Sequence, residues 1–126
     1  MGHAHMRIRA FAQSPEDYNV WLAHQRQPAS PPSAGGAAKG AELFREKNCV
    51  NCHSIAGLST RGRVAPNLTH VGSRTTLAAG SLTNTPENLA QWLKNPQNVK
   101  RGVNMPDTGL DPDQIKDMVA FLEGLK

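Results

Sequence analysis

Cys49-Val50-Asn51-Cys52-His53 is the stretch of this chain whose residue types and spacing can do chemistry. Two thiols three positions apart, followed at once by an imidazole, form the attachment signal for a c-type haem. The spacing suits that group. The thiols can reach the two vinyl groups along one edge of a porphyrin and form thioethers, and His53 then lies under the iron as an axial ligand. Other uses of a cysteine pair need partners that the sequence lacks. A structural zinc site takes four ligands, usually from a second C-x-x-C or an H-x-x-x-H pair, and neither occurs. A thioredoxin-like redox pair belongs at the strand-to-helix junction of a βαβ unit, and no such pattern surrounds these residues. The pair cannot staple a fold either, because the loop it would close is too short to constrain the chain much. One covalent haem c is the expected cofactor.

His53 fills one axial position. Four methionines and His70 are candidates for the other. Met118 falls in the apolar stripe of a helix and reads as core. Met1 and Met6 lie in the N-terminal segment. Met105 sits in Arg101-Gly102-Val103-Asn104-Met105-Pro106-Asp107. Pro106 disfavours helical dihedrals at the residue before it, so an extended loop is expected there, and such a loop can cross the open face of a haem. Met105 is the favoured sixth ligand, with His70 and an open position as rivals.

The elements that must position these residues can be read from their surroundings. Residues 39–126 form the body. Ala37, Gly40, Ala41 and Phe44 share one face of a first helix that runs to about Asn48. Glycine inside a helix costs about 1 kcal/mol against alanine, so Gly40 is expected where two backbones approach closely. Residues 57–80 are expected to be irregular. Thr85-Pro86-Glu87 starts a second helix, with Leu89, Trp92 and Leu93 as its buried stripe and Pro96 as its end. Asp111-Pro112-Asp113-Gln114 starts a third with a capping-box arrangement. Ile115, Met118, Val119 and Leu122 then repeat at helical spacing, with Phe121 and Leu125 widening the face. No second strand-like run follows, so the body is expected to be all-α.

Residues 1–26 form a head. Met6–Ala12 alternates as a strand, and Ser14-Pro15 starts a helix that carries Tyr18, Trp21 and Leu22 on one face to about Gln25. The head is too small to fold alone, so its apolar face must dock on the body or on a missing domain. Residues 27–38 read as a linker: Pro28, Pro31 and Pro32 stiffen its first half and Gly35 and Gly36 loosen its second. It would reach about 37 Å as polyproline II and about 20 Å as flexible coil.

Composition bounds the remaining possibilities. The chain has 126 residues, room for one ordinary domain, with a net charge of +4 and 38% apolar residues. No apolar run is long enough to cross a membrane, and no secretory leader is expected. The basic residues do not interleave with aromatics, which argues against nucleic acid. Phe11, Tyr18 and Trp21 lie in the head, and only Phe44, Trp92 and Phe121 serve the rest. So few large side chains cannot fill a core by themselves, which a porphyrin would remedy.

From Ala37 to Lys126 the chain resembles the class I cytochrome c family, which implies three to four helices around one haem. Gly40 and Phe44 match that family's contact with the last helix, where Phe121 would sit. Cys49, Cys52 and His53 match its haem motif. Ala65-Pro66-Asn67-Leu68 matches its proline loop, and Asn104-Met105-Pro106 its methionine loop. The resemblance implies that the Pro66 carbonyl accepts a hydrogen bond from His53 Nδ1, that His53 and Met105 are the axial ligands, and that Trp92 is an aromatic near the methionine. Arg74 is the favoured haem-propionate partner.

In the head, His3-Ala4-His5-Met6 and the segment to Gln25 resemble the C-terminal end of the copper domain of an oxidase subunit II; an expression-tag remnant is the alternative. The copper cysteines of that family are absent, so no copper site is expected in this chain. The resemblance as a whole implies the cytochrome domain of a caa-type haem–copper oxidase, at the outer (periplasmic) face of the bacterial cytoplasmic membrane, with the fragment itself soluble and monomeric. It implies one-electron transfer, without catalysis of its own, from a soluble donor to the copper domain of the parent subunit. A tether of this length would hold donor and acceptor at about millimolar effective concentration. Lys47 to Arg101 holds seven basic residues and one acid, Glu87, which favours a donor with an acidic face. A free-standing diffusible cytochrome, or a peroxidase or gas sensor with an exchangeable sixth ligand, are the competing readings.

Overall fold

The computed structural model describes residues 8–30, 32, 34–59 and 62–126. His3 and Met6, the proposed copper-ligand positions of the head, lie outside the described residues, as does Met1. The elements run α1 (Pro15–Gln25), α2 (Gly35–Glu46), β1 (Thr76–Leu77), β2 (Leu82–Thr83), α3 (Pro86–Lys94), α4 (Pro96–Val99) and α5 (Pro112–Gly124).

The body is organised by α2 against α5. A Cβ at Gly40 would land on the Asp117 carbonyl and 2.6 Å from Phe121 Cβ, and one at Gly36 would lie 2.7 Å from Asp117 Oδ1. Both glycines let the two helices touch along their backbones. Phe44 and Phe121 then meet edge to face, with ring centroids 5.7 Å apart, the arrangement aromatic quadrupoles favour. Phe121 is 1% exposed. Around this pair the core gathers Ala41, Ile55, Val71, Leu77, Leu89, Leu93, Met118, Leu122 and Leu125. Met118 is core, as its stripe position indicates.

The helix starts follow their capping chemistry. The Thr85 hydroxyl accepts from Asn88 N–H, and Asp111 and Gln114 form a reciprocal capping box. A buried Pro96 starts the single turn of α4 directly after α3. Trp92 is half-buried, whereas Leu89 and Leu93 are buried.

Three local expectations change. The all-α expectation misses a small antiparallel hairpin in which Thr76 pairs with Thr83 and Leu77 with Leu82. Strands of two residues are too short to show alternation. The strand expected over Met6–Ala12 is absent from its described part, residues 8–12; a strand without a partner leaves its backbone groups unpaired. Finally, α2 begins at Gly35, so residues 35–38, expected as linker, are helical.

Residues 27–30 are not a free tether. Ala29 is 4% exposed and its N–H donates to Ala56 O at 2.9 Å. His70 Nε2–H donates to Gln27 O at 3.1 Å, and the His70 ring stacks on His24, from the last turn of α1, at 4.8 Å. The connector is thus seated on the body. The helix before it is not: α1 buries none of its residues, and Phe11, Tyr18, Val20 and Trp21 stay exposed. Among the described residues no helix is long and apolar enough to cross a membrane.

Two outcomes check this architecture. Gly40→Ala forces an overpacked contact, which costs about 1–3 kcal/mol, so the haem-loaded protein should unfold at lower guanidinium with an unchanged denaturant slope. Ala29→Asp puts a charge into a buried seat; trypsin should then cut after Arg26 several-fold faster than in the wild type, and an equal rate would contradict the seated connector.

Candidate functional site

The site begins where α2 ends. Lys47 N–H and Asn48 N–H close the helix on Leu43 O and Arg45 O. Asn48 then takes a left-handed conformation (φ 60°), which asparagine tolerates better than most residues. That turn redirects the chain into a 3-10 turn over Cys49–Asn51. Cys52 N–H and His53 N–H both donate to Cys49 O, at 3.2 and 2.9 Å. Cys49, Cys52 and His53 are thereby held on one compact turn.

Both thiols are free; Cys49 is half-buried and Cys52 exposed. Burial pushes the Cys49 thiol above its ordinary pKa, and the neighbouring Cys52 adds to the rise, while a backbone hydrogen bond works against it. Cys49 is therefore a neutral thiol at neutral pH.

His53 Nδ1 lies 2.8 Å from Pro66 O. A carbonyl only accepts, so Nδ1 carries the proton and Nε2 keeps its lone pair for a metal. The loop that brings Pro66 there is braced from both sides. Ala65 N–H donates to Cys52 O at 3.0 Å and Leu68 N–H to Ser54 O at 2.8 Å. Asn67 Oδ1 accepts from Thr69 N–H and its hydroxyl, and the Thr69 hydroxyl accepts from Ala56 N–H. Gly62 presses on the backbone of Cys52 and His53, where a Cβ would overlap.

Arg74 joins the same loop. Its guanidinium donates to Asn67 O, and burial lowers its pKa, yet an arginine stays a cation at neutral pH. Asn84 fixes the turn beneath it by donating to both Val71 O and Arg74 O at 2.8 Å.

Trp92 and Met105 come from α3 and from the loop between α4 and α5. Both are half-buried, and Met105 packs against the core. Residues 103–111 carry no helix or strand, which agrees with the extended loop expected before Pro106. His70, the rival ligand, is turned to other work. Its Nε2 serves Gln27 O, and its Nδ1 is buried without a partner among the described residues.

The residues fit a haem c by their chemistry: two unpaired thiols on one turn and an imidazole whose free nitrogen is set by a carbonyl. Sequence reasoning found Cys49, Cys52, His53, Pro66 and Arg74, which the structure brings together around one loop. It missed Thr69 and Asn84, which hold that loop. Their only signal is a polar side chain in an irregular stretch.

The comparisons with known proteins agree with this chemistry. Residues 37–126 match the family model described as cytochrome c. Cytochrome c oxidase subunit 2 of Alkalihalophilus pseudofirmus is 30% identical over 125 residues, covering 98% of this chain and 36% of that protein. The Bacillus subtilis protein of that name is 33% identical over 129 residues, and that of Bacillus sp. strain PS3 32% over 129, with the same coverage of both chains. The chain thus spans 36% of the length of these curated relatives.

Covalent attachment has a direct check. In protein matured with haem, acid–acetone should extract no haem from the wild type and nearly all of it from the Cys49→Ala/Cys52→Ala double variant. Cys52→Ala alone should retain the haem by one thioether. Its reduced α band should move to longer wavelength, because an unreacted vinyl group extends the porphyrin's conjugation.

Proposed function

Because the chain belongs to the cytochrome c family, we propose that it is a one-electron carrier whose haem c is held by Cys49 and Cys52 and ligated by His53 and Met105. When bound, the haem supplies a reversible Fe(III)/Fe(II) couple. The observation that carries the assignment is the His53 Nδ1–H bond to Pro66 O. It fixes the imidazole's tautomer and orientation and makes Nε2 the better donor. Arg74, whose guanidinium donates to Asn67 O next to Pro66, is our candidate for a propionate partner. Trp92 shields the methionine side. His/Met ligation in an apolar pocket raises the reduction potential. With both axial positions taken by protein, no substrate needs to bind iron, and the chain performs no catalysis of its own.

The carrier works in aerobic respiration as a domain fused behind the copper domain of a caa-type oxidase subunit II. It takes an electron from a soluble donor and passes it to the copper centre, at the outer face of the cytoplasmic membrane. The names of the three relatives support this, and so does the extent of the match. At 98% of this chain it reaches beyond the cytochrome body into the head, which favours a native head over a tag remnant. The exposed aromatic face of α1 supports a partner in the upstream domain. The seated connector supports a carrier held in a set orientation rather than one that swings. The seven basic residues from Lys47 to Arg101 favour a donor with an acidic face, so transfer from it should slow as salt rises. A free-standing carrier would leave the aromatic face of α1 without a role.

Two spectra test the ligation. Met105→Ala should abolish the methionine-to-iron charge-transfer band and lower the reduction potential. The ferrous wild type should bind carbon monoxide poorly at neutral pH; ready binding would favour a peroxidase or gas sensor instead.

A further inference from the structure

The segment that carries Met105 has an unusual anchorage. Among the described residues, no well-aligned hydrogen bond joins a backbone group from Arg101 to Leu110 to another backbone group. The loop is held by side chains. Downstream of Met105, the Thr108 hydroxyl donates to Leu93 O at 2.7 Å and Asp107 accepts from Gly109 N–H. Upstream, every such bond comes from one residue, Gln97. Its Oε1 accepts from Gly102 N–H at 3.1 Å, and its Nε2 donates to Val103 O at 2.6 Å and to Met105 O at 3.3 Å.

We propose that Gln97 is a positioning residue for the sixth ligand: its amide clips the Gly102–Met105 backbone and so keeps the methionine in place over the metal. The inference rests on the assignment of Met105 as ligand and adds what holds it there. Gln97 is well suited to the task. An amide offers an acceptor and two donors at one end, and the three backbone groups it meets are one N–H and two carbonyls. Its own position is set by α4. Asn95 caps that turn through Asn98 N–H, and the buried Pro96 anchors its start. Gly102, with φ +81°, turns the chain back so that its N–H faces the amide oxygen. Each bond is modest in water. A loop without a backbone ladder depends on such bonds and on the packing of Met105 and Leu110 to stay closed, so the open form that frees the metal is the state Gln97 opposes.

The test uses haem-loaded ferric protein titrated with imidazole, which binds iron only when the native sixth ligand has left. Four variants are compared with the wild type. Met105→Ala sets the affinity of an open site. Gln97→Ala should bind imidazole about tenfold more tightly than the wild type, equivalent to about 1.4 kcal/mol, and should keep the charge-transfer band. Gln97→Glu keeps an acceptor for Gly102 N–H but sets oxygens against two carbonyls, so its gain should be at least as large. Gln91→Ala, an exposed change on α3, should match the wild type. Exchange of the Gly102 amide should quicken about tenfold in Gln97→Ala. An imidazole affinity for Gln97→Ala within twofold of the wild type, with Met105→Ala binding far more tightly, would overturn the role of Gln97 and leave the ligation standing. A wild type that binds imidazole as tightly as Met105→Ala would overturn the ligation, and this inference with it.

Discussion

At Gly40 the backbone of α2 rests directly on the Asp117 carbonyl and the Phe121 side chain of α5. This contact fixes the two ends of the body against each other, and the site is built outward from it. The haem motif starts three residues after α2 ends, so its position is set by where that helix lies. The other end of the body reaches the same region by a second route. Gly72 N–H donates to Leu125 O just past α5, which ties the stretch after the Pro66 loop to the last helix. The imidazole and the carbonyl that orients it are therefore both referred to one helix pair. A helix pair is a good reference because its internal hydrogen bonds make it stiff, whereas the loops it carries have no rigidity of their own.

Those loops are held by side chains. Asn67, Thr69, Asn84, Gln97 and Thr108 donate to or accept from backbone groups of these loops and helix ends. The reason is geometric. Backbone that follows neither a ladder nor a helix cannot pair with itself, and side-chain amides and hydroxyls supply its bonds one at a time. The body is also short of large apolar residues: Phe44 and Phe121 join α2 to α5, and Trp92 is half-buried. The haem c that the family implies would supply the large flat group they lack. Without it the loops would face water with few contacts to hold them, and the body would lose order around its centre.

How much of this could be read in advance follows from how local each signal is. Helices α3 and α5 announce themselves through Thr85, Asp111 and their following prolines, because capping is settled within four residues. The haem motif is equally local. The Pro66 bond to His53 spans thirteen positions and was legible only through resemblance to a family. Gly35 and Gly36 looked like a loose linker because glycine disfavours helix; the contact that Gly36 makes is with Asp117, far along the chain. The hairpin at Thr76 and Thr83 is too short to leave a period. Gln97 and Thr108 give no signal at all, since an exposed polar residue near a turn is the commonest of features. His70 read as a possible ligand and is instead a prop for the connector, a role that depends on Gln27 and His24.

The seated connector bears on how any domain attached before it could be held. A free tether raises the local concentration of a domain but leaves its orientation to chance, and electron transfer depends steeply on the approach of the redox centres. Here the chain leaving α1 is caught within a few residues by His70 and Ala56. Ala56 is itself bound to Thr69, which is bound to Asn67 beside the carbonyl that orients His53. Hydrogen bonds and chain neighbours thus link the connector to His53. A domain attached before the connector would be referred to His53 from Gln27 and Ala29 onward, while α1 itself buries none of its residues and is left to pack on whatever precedes it. Such an arrangement favours a short, repeatable path over a wide search.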